Sequence, residues 1–483
     1  MTPKPLQATP NGTVLGDETA FLTMLPDELL LNIAERLTVP DLLQMSLVSK
    51  HIGAIAQEAL YRYITLPYIQ RLEARCRSPI AQLAETLVQR PELARKVRGL
   101  DLCPQMEEVS VDTKVAHMFS PWNEPPEQLQ NFRMNMLEMQ VAGKILRMLI
   151  NLKSLHITSM SGVCGTSASD LNPYAYVGNL AMRLFGPWSA KGDVSELLWL
   201  RRLEVLHIWG SSVDWAWCLL PRLKTLVLGH YCPLPSLGEF AKRSMIEDLE
   251  LYLPTTLLLA ADELHPNLPR FLGHLPKLTV LCIHLCDSQW DYHHNDVFPI
   301  LSQNVRGSFE ALATALSPLA AMLEVLTIST CYHDVPNFFD HTFPLSTLAH
   351  FKCLRFLSIP HEAIAIDPTF QPPAPLRPLL PRNLQELHIS WPYLSIVQSL
   401  EEIVLFPDSF PNLSTITLWP RDDRGDGYET FVYRRHRVWE ELGKLDIAVN
   451  IFYDKADYRA DWDDEDYDPF VINVVCWLER LWY

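Results

Sequence analysis

Leu152-Lys153-Ser154-Leu155-His156-Ile157 sets apolar residues at its first, fourth and sixth positions, and Leu384-Gln385-Glu386-Leu387-His388-Ile389 repeats the arrangement far downstream. The alternation of Leu155 and Ile157 about His156 fits a β-strand with one buried face, because successive strand side chains point to opposite sides. The pattern Leu-x-x-Leu-x-Leu/Ile, or a near variant, is centred on Leu100, Leu155, Leu206, Leu226, Leu249, Leu281, Leu326, Leu357, Leu387 and Ile416. Helical periodicity precedes several of these strands. Met136 to Leu149 carries Leu137, Val141 and Ile145 on one face, and Ser308 to Met322 reads the same way. Strand following helix, repeated, implies stacked units that bury their leucines against neighbours.

The whole pattern resembles a leucine-rich-repeat solenoid. That resemblance implies an α/β fold, with a curved parallel sheet and a helical outer layer. The centres lie 55, 51, 20, 23, 32, 45, 31, 30 and 29 residues apart, against a usual repeat of about 20 to 29. The array is therefore irregular. Cys103 to Arg133 and Met160 to Gly192, with Pro, Asn, Gly and Ser clusters, read as long inserted loops. At the place of the family's asparagine stand Cys286 and Cys331 in two repeats and Ser211, Tyr231 and Pro392 in others, so no continuous asparagine ladder is expected.

Strand residues flanking the central apolar pair point away from the core, toward the concave face of such a sheet. These are Asp101, His156, Thr158, His207, Trp209, Glu250, Tyr252, Cys282, His284, Thr327, Ser358, Glu386, His388 and Trp419. Histidine and aromatic residues are frequent among them, and aromatic residues dominate interface energies. His156, His207, Trp209, Glu250, Tyr252, His284, His388 and Trp419 are the candidate substrate-binding residues. The other reading is that inserted loops or the chain's own tail cover them.

Upstream, Leu25-Pro26-Asp27-Glu28-Leu29-Leu30 opens a helix: proline suits the first turn, and the two carboxylates complement the positive end of the helix dipole. Leu29, Ile33 and Leu37 form one apolar stripe, which Leu30 and Ala34 widen. Pro40 and Asp41 start a short second helix with Leu42, Leu43 and Met45, and Val48, Ile52, Ile55 and Ala59 mark a third. So small a module cannot bury all these side chains by itself. Leu25 stands where a helix favours a polar cap, which points either to a contact outside the helix or to a hydrophobic staple.

Leu-Pro-x-Glu-Leu-Leu, a later Asp-Leu-Leu, then Val-Ser-Lys and a late aromatic resemble an F-box, with Tyr61 where tryptophan is common. The resemblance implies binding to a Skp adaptor, itself held by a cullin. It assigns that interface to Leu25, Pro26, Leu29, Ile33, Leu42, Leu43, Val48 and Tyr61. Gln82 to Arg98 reads as a helical connector of the kind found in fungal F-box proteins, placed to close the open end of the array.

The expected organisation is a disordered leader at 1–20, an F-box at 21–66, a helical connector at 67–96, the irregular solenoid at 97–420, and a C-terminal cap with an acidic segment at 421–483. Within that cap, Tyr428 to Leu442 reads as a helix, Leu445, Ile447 and Val449 as a strand, and Val471 to Trp482 as strongly apolar.

The 483 residues carry a net charge of −17, which argues against nucleic-acid binding and favours a basic or neutral partner. Asp454 to Asp468 concentrates much of the acid. Ten scattered cysteines read as reduced thiols of an intracellular protein, cytoplasmic or nuclear, and no secretory or membrane segment is expected. Cys282, His284 and Cys286 with His293 and His294 lack the paired knuckle spacing of a zinc site. No phosphate-binding loop or nucleophile elbow occurs either. No catalytic, cofactor or metal residue is assigned, and the chain is expected not to be an enzyme. The expected role is a substrate-recruiting subunit of an SCF-type ubiquitin ligase. A scaffold that binds a Skp adaptor without joining a cullin is the alternative.

Overall fold

The computed structural model describes residues 25–66, 77–105, 108–117, 133–159, 179–185, 194–229, 232–235, 237, 242–254, 267–286, 308–330, 344–364, 375–420 and 437–452. The leader, Tyr231, His293, His294, Cys331, residues 428–436, the acidic segment and residues 471–482 lie outside the described residues. The chain divides into two compact units, one drawn from Met1–Val305, Ala311–Val325 and Thr330–Asp334, the other from Arg306–Glu310, Leu326–Ser329 and Val335–Tyr483.

The first unit begins with three helices, α1 (Asp27–Ala34), α2 (Val39–Met45) and α3 (Lys50–Arg62). Thr38 and Ser49 cap α2 and α3 by accepting the backbone N–H of Asp41 and Ile52. Pro26 stands at the cap position of α1, one residue before the helix, where its carbonyl receives the N–H groups of Leu29 and Leu30. Leu30, Ala34, Leu42, Ile55, Ala56 and Ala59 form the core of the three helices, and Leu25 packs against it as a staple would.

Helix α3 runs straight into strand β1 (Tyr63–Leu66), which pairs in parallel with β2 (Gly99–Leu102). The edge of the sheet is therefore taken by the tail of the helical module and not by the connector. That connector is two helices, α4 (Pro79–Gln89) and Pro91–Ala94, broken at Arg90 because the residue before a proline is driven out of the helical region.

Beyond β2, the segment expected to be loop contains an antiparallel pair, β3 (Glu108–Asp112) and β4 (Arg133–Leu137), with a short helix, Thr113–His117, after β3. The alternation of Val109 and Val111, both buried, supplies the reason. Helix α5 (Glu138–Met148) begins two residues later than its periodicity suggests, since Met136 and Leu137 belong to β4. A helix α6 (Leu180–Phe185) also interrupts the second expected loop. Helices α4, α5 and α6 pack side by side in chain order.

Strands β5 (Ser154–Thr158), β6 (Val205–Trp209), β7 (Thr225–Leu228), β8 (Asp248–Pro254) and β9 (Val280–Cys286) come after β2, each parallel to the one before. The expected helix over 308–322 is Phe309–Ala315 and then a 3-10 turn at Ser317–Leu319. Strand β10 (Val325–Thr330), of which Leu326–Ser329 belong to the second unit, lies beside β11 (Phe356–Pro360), and β12 (Glu386–Ser390), β13 (Thr415–Trp419) and β14 (Ala448–Ile451) continue in parallel. All ten central residues from Leu100 to Ile416 are buried, each contributing about 1.5–3 kcal/mol relative to exposure.

The turn before each strand repeats one geometry. The carbonyl of Arg98 accepts from Lys153 and Ser154, that of Lys153 from Glu204 and Val205, and those of Glu204, Lys224 and Glu247 serve the next strands in the same way. Asn151, Asn383 and Asn412 donate their side-chain amides to the carbonyls of Arg95, Lys352 and Arg382 in the turn before. These asparagines sit ahead of the strands.

Candidate functional site

With the leucines turned inward, alternation puts Asp101, His156, His207, Val227, Glu250 and Cys282 in one row across the opposite face of the first unit's sheet, where Val227 and Glu250 are buried and the other four half-buried. Asp101 Oδ1 lies 3.2 Å from His156 Nδ1, and the His156 and His207 rings meet edge to face at 5.5 Å. Burial, with His156 adding to it, pulls the His207 imidazole down to about 4, so it is neutral at pH 7.

The neighbouring row holds Trp209, Tyr252 and His284. Trp209 and Tyr252 have ring centroids 4.7 Å apart, and Tyr252 stacks on His284 at 4.4 Å. Trp209 reaches across Gly229: a Cβ on that glycine would stand 2.2 Å from the indole ring. His284 Nε2 lies 3.1 Å from Glu250 Oε1. Burial raises the Glu250 carboxyl, but hydrogen bonds from His284 and Tyr252 carry it below the usual range. Asp248, on the same strand and face, is pushed up to about 6 by burial and by Glu250.

Six of the eight expected substrate residues therefore form two contacting groups in the first unit, His156 with His207 and Trp209 with Glu250, Tyr252 and His284. In the second unit His388 lies edge to face with Phe356 at 4.5 Å and is drawn down to about 4 by burial. Trp419 stacks on Phe452 at 4.9 Å. Asp248, Gly229, Phe356 and Phe452 join these faces without having been picked out from the sequence. Asp248 and Phe356 could have been found from their alternation with neighbours, but Gly229 only from the strand pairing.

A different surface covers the N-terminal helices. Sixteen large apolar side chains stand exposed among the described residues, and seven of them fall between Leu29 and Val48: Leu29, Ile33, Leu37, Val39, Leu43, Leu47 and Val48. Leu47 is 80% exposed. Of the expected adaptor-binding residues, Leu29, Ile33, Leu43 and Val48 are in this set and Pro26 is exposed beside it. Leu42, 5% exposed, belongs to the core beneath, because α2 turns it toward Ile55 and Ala59, while Leu25 and Tyr61 are half-buried.

Residues 22–67 match the family model described as F-box-like. The chain carries an F-box-like domain. No curated protein matches the chain. Ion pairs and hydrogen bonds tie the F-box-like domain to the connector and the second strand: Lys96 Nζ lies 3.2 Å from Glu58, Arg90 donates to Gln57, and the Arg98 N–H donates to the Arg62 carbonyl. Arg62 also pairs with Glu35, joining the ends of α3 and α1.

Chemically, these surfaces suit binding. Among the described residues no group of three or more His, Cys, Asp or Glu could hold a metal ion, and no helix is long and apolar enough to cross a membrane. Burial raises the Cys103 and Cys232 thiols to about 12, which leaves them protonated.

Proposed function

We propose that the chain is the substrate-recruiting subunit of an SCF-type ubiquitin ligase. In this reading the F-box-like domain binds a Skp adaptor and, through it, a cullin, and the leucine-rich strands form a repeat solenoid whose open face holds a target protein. The chain does no chemistry of its own. It raises the target's effective concentration near the ubiquitin-charged enzyme. The observation that carries the reading is the exposed apolar patch from Leu29 to Val48 on the segment matching the F-box-like family. So dense a patch on so small a module marks an interaction site. The shared turn geometry from strand to strand supports the solenoid.

Co-purification of the tagged full chain tests this. A Skp adaptor and a cullin together are expected, with both lost in a Leu29→Asp/Ile33→Asp variant. A Skp adaptor without cullin would favour the scaffold alternative, and absence of both would sink the reading.

A further inference from the structure

The turns that lead into β2 and β5 to β9 lie along one edge of the first unit's sheet, because these strands run parallel and in register. Residues 95–98, 150–153, 201–204, 221–224, 242–247 and 276–279 hold eleven lysines and arginines against two carboxylates, in a chain whose overall count is 40 against 57. The two carboxylates, Glu204 and Glu247, are taken up by Lys153 and Lys224 at 3.0 and 3.1 Å, and Lys96 pairs with Glu58 of α3. Arg95, Arg201, Arg222, Lys242, Arg243 and Lys277 are exposed and have no acidic partner among the described residues. The charge left uncompensated therefore sits on side chains that face water.

Lys96, Arg202, Arg222 and Lys277 occupy the same place, three residues ahead of the first paired residue of their strands. Ahead of β8 that place is held by Met245, which is exposed, and Ile150 and Leu198 stand exposed near Asn151 and Arg201. A nucleic acid would meet the cations through its phosphates but leave these apolar side chains uncovered. A protein segment that carries both carboxylates and apolar side chains covers both.

We infer that this edge is a docking surface for an acidic stretch of a partner protein, with apolar residues among its carboxylates. The net charge of −17 favours a basic or neutral partner for the chain as a whole. At physiological salt, however, charges more than about 8 Å away are largely screened, so a segment in contact with the edge meets the edge's own sign. From Lys96 to Lys277 the row spans five strand intervals, about 24 Å, which an extended segment covers in about seven residues. None of these residues belongs to the exposed patch from Leu29 to Val48 or to the face that carries Trp209 and Tyr252, so the inference stands apart from the adaptor reading.

The test is an array of twelve-residue peptides probed with the full chain. Three arms fix alternate positions as Glu, Gln or Lys with leucine and valine between them, a fourth sets serine between glutamates, and a twelve-nucleotide oligothymidylate is the fifth. The Glu arm with leucine and valine is expected to retain at least about tenfold more protein than the Gln and Lys arms, and about threefold more than the last two, with retention falling as salt is raised. Arg222→Glu with Lys277→Glu should cut that retention at least about tenfold, and Met245→Ser about threefold. Arg437→Gln, on a helix of the second unit, should leave it unchanged. Thermal melts identify a variant that has unfolded, in which case Arg222→Gln with Lys277→Gln decides. Equal retention on the Glu and Gln arms, no retention on any arm, or an unaffected Arg222/Lys277 variant would overturn the inference. Oligothymidylate held as tightly as the Glu arm would overturn the choice of a protein segment. A missing Skp adaptor on co-purification bears on the adaptor reading alone.

Discussion

The F-box-like domain and the open face of the first sheet break the usual inside-out rule in opposite directions. The domain leaves leucine, isoleucine and valine in water, while the sheet face buries a glutamate and half-buries histidine and tryptophan against one another. The difference teaches what each set of side chains does. An exposed apolar residue such as Leu47 touches little of its own fold, so its cost in water is recovered only when a partner covers it. Trp209, Tyr252, His284 and Glu250 already contact each other, so any partner must use an arrangement that also holds the sheet together.

The sharpest break of that comparison is at the domain. Leu43→Asp with Val48→Asp should weaken Skp-adaptor binding more than about a thousandfold, about 4 kcal/mol, and leave the melting temperature unchanged. Leu42→Ala, beside Leu43 but turned inward, should instead destabilise the domain by about 2–5 kcal/mol. If calorimetry showed the two variants equally destabilised, the division between an outer and an inner stripe would fail.

On the sheet the two effects should be inseparable. Trp209→Ala is expected to cost about 1–3 kcal/mol of stability even without a partner, through the lost contact with Tyr252. Gly229→Ala should cost a similar amount, since its new Cβ would stand 2.2 Å from the indole ring. In the double variant the clash has nothing to strike, so the summed cost should fall well short of additive by denaturant titration. Strict additivity would mean that Trp209 does not lie across the glycine.

This contrast is partly legible in the sequence, and the parts that are not share one cause. Period-two leucines such as Leu155 with Ile157 announce strands because alternation is a local property. Which residues meet across the sheet is not local: His156 and His207 are neighbours only because β5 pairs with β6 in register. Tyr63-Ile64-Thr65-Leu66 reads as the tail of the helical module, yet it is the first strand, and its pairing with Gly99–Leu102 cannot be seen from either segment alone. The same limit applies to the helices. Leu29 and Leu30 are equally apolar, and only the packing of α1 on α3 sends Leu30 inward and leaves Leu29 out.

The smallest expected effect is also the one that separates two opposed terms on a single face. His207 is held down to about 4 against an ordinary 6.5, so between those values the unfolded chain binds a proton that the folded chain refuses, and stability falls as pH falls. Asp248 behaves in reverse. Its carboxyl is raised to about 6 against an ordinary 3.8, so the folded chain takes the proton first and stability rises as pH falls through that window. In the wild-type chain the two largely offset. Between pH 6.5 and pH 4, His207→Gln should therefore turn a nearly level urea midpoint into one that rises as pH falls, and Asp248→Asn should turn it into one that declines. At pH 7 Asp248→Asn should raise the midpoint slightly, because it removes a charge that burial penalises, while His207→Gln should leave the titration term unchanged there. Parallel profiles for the two variants would mean that neither side chain is as dehydrated as the rows on the open face require.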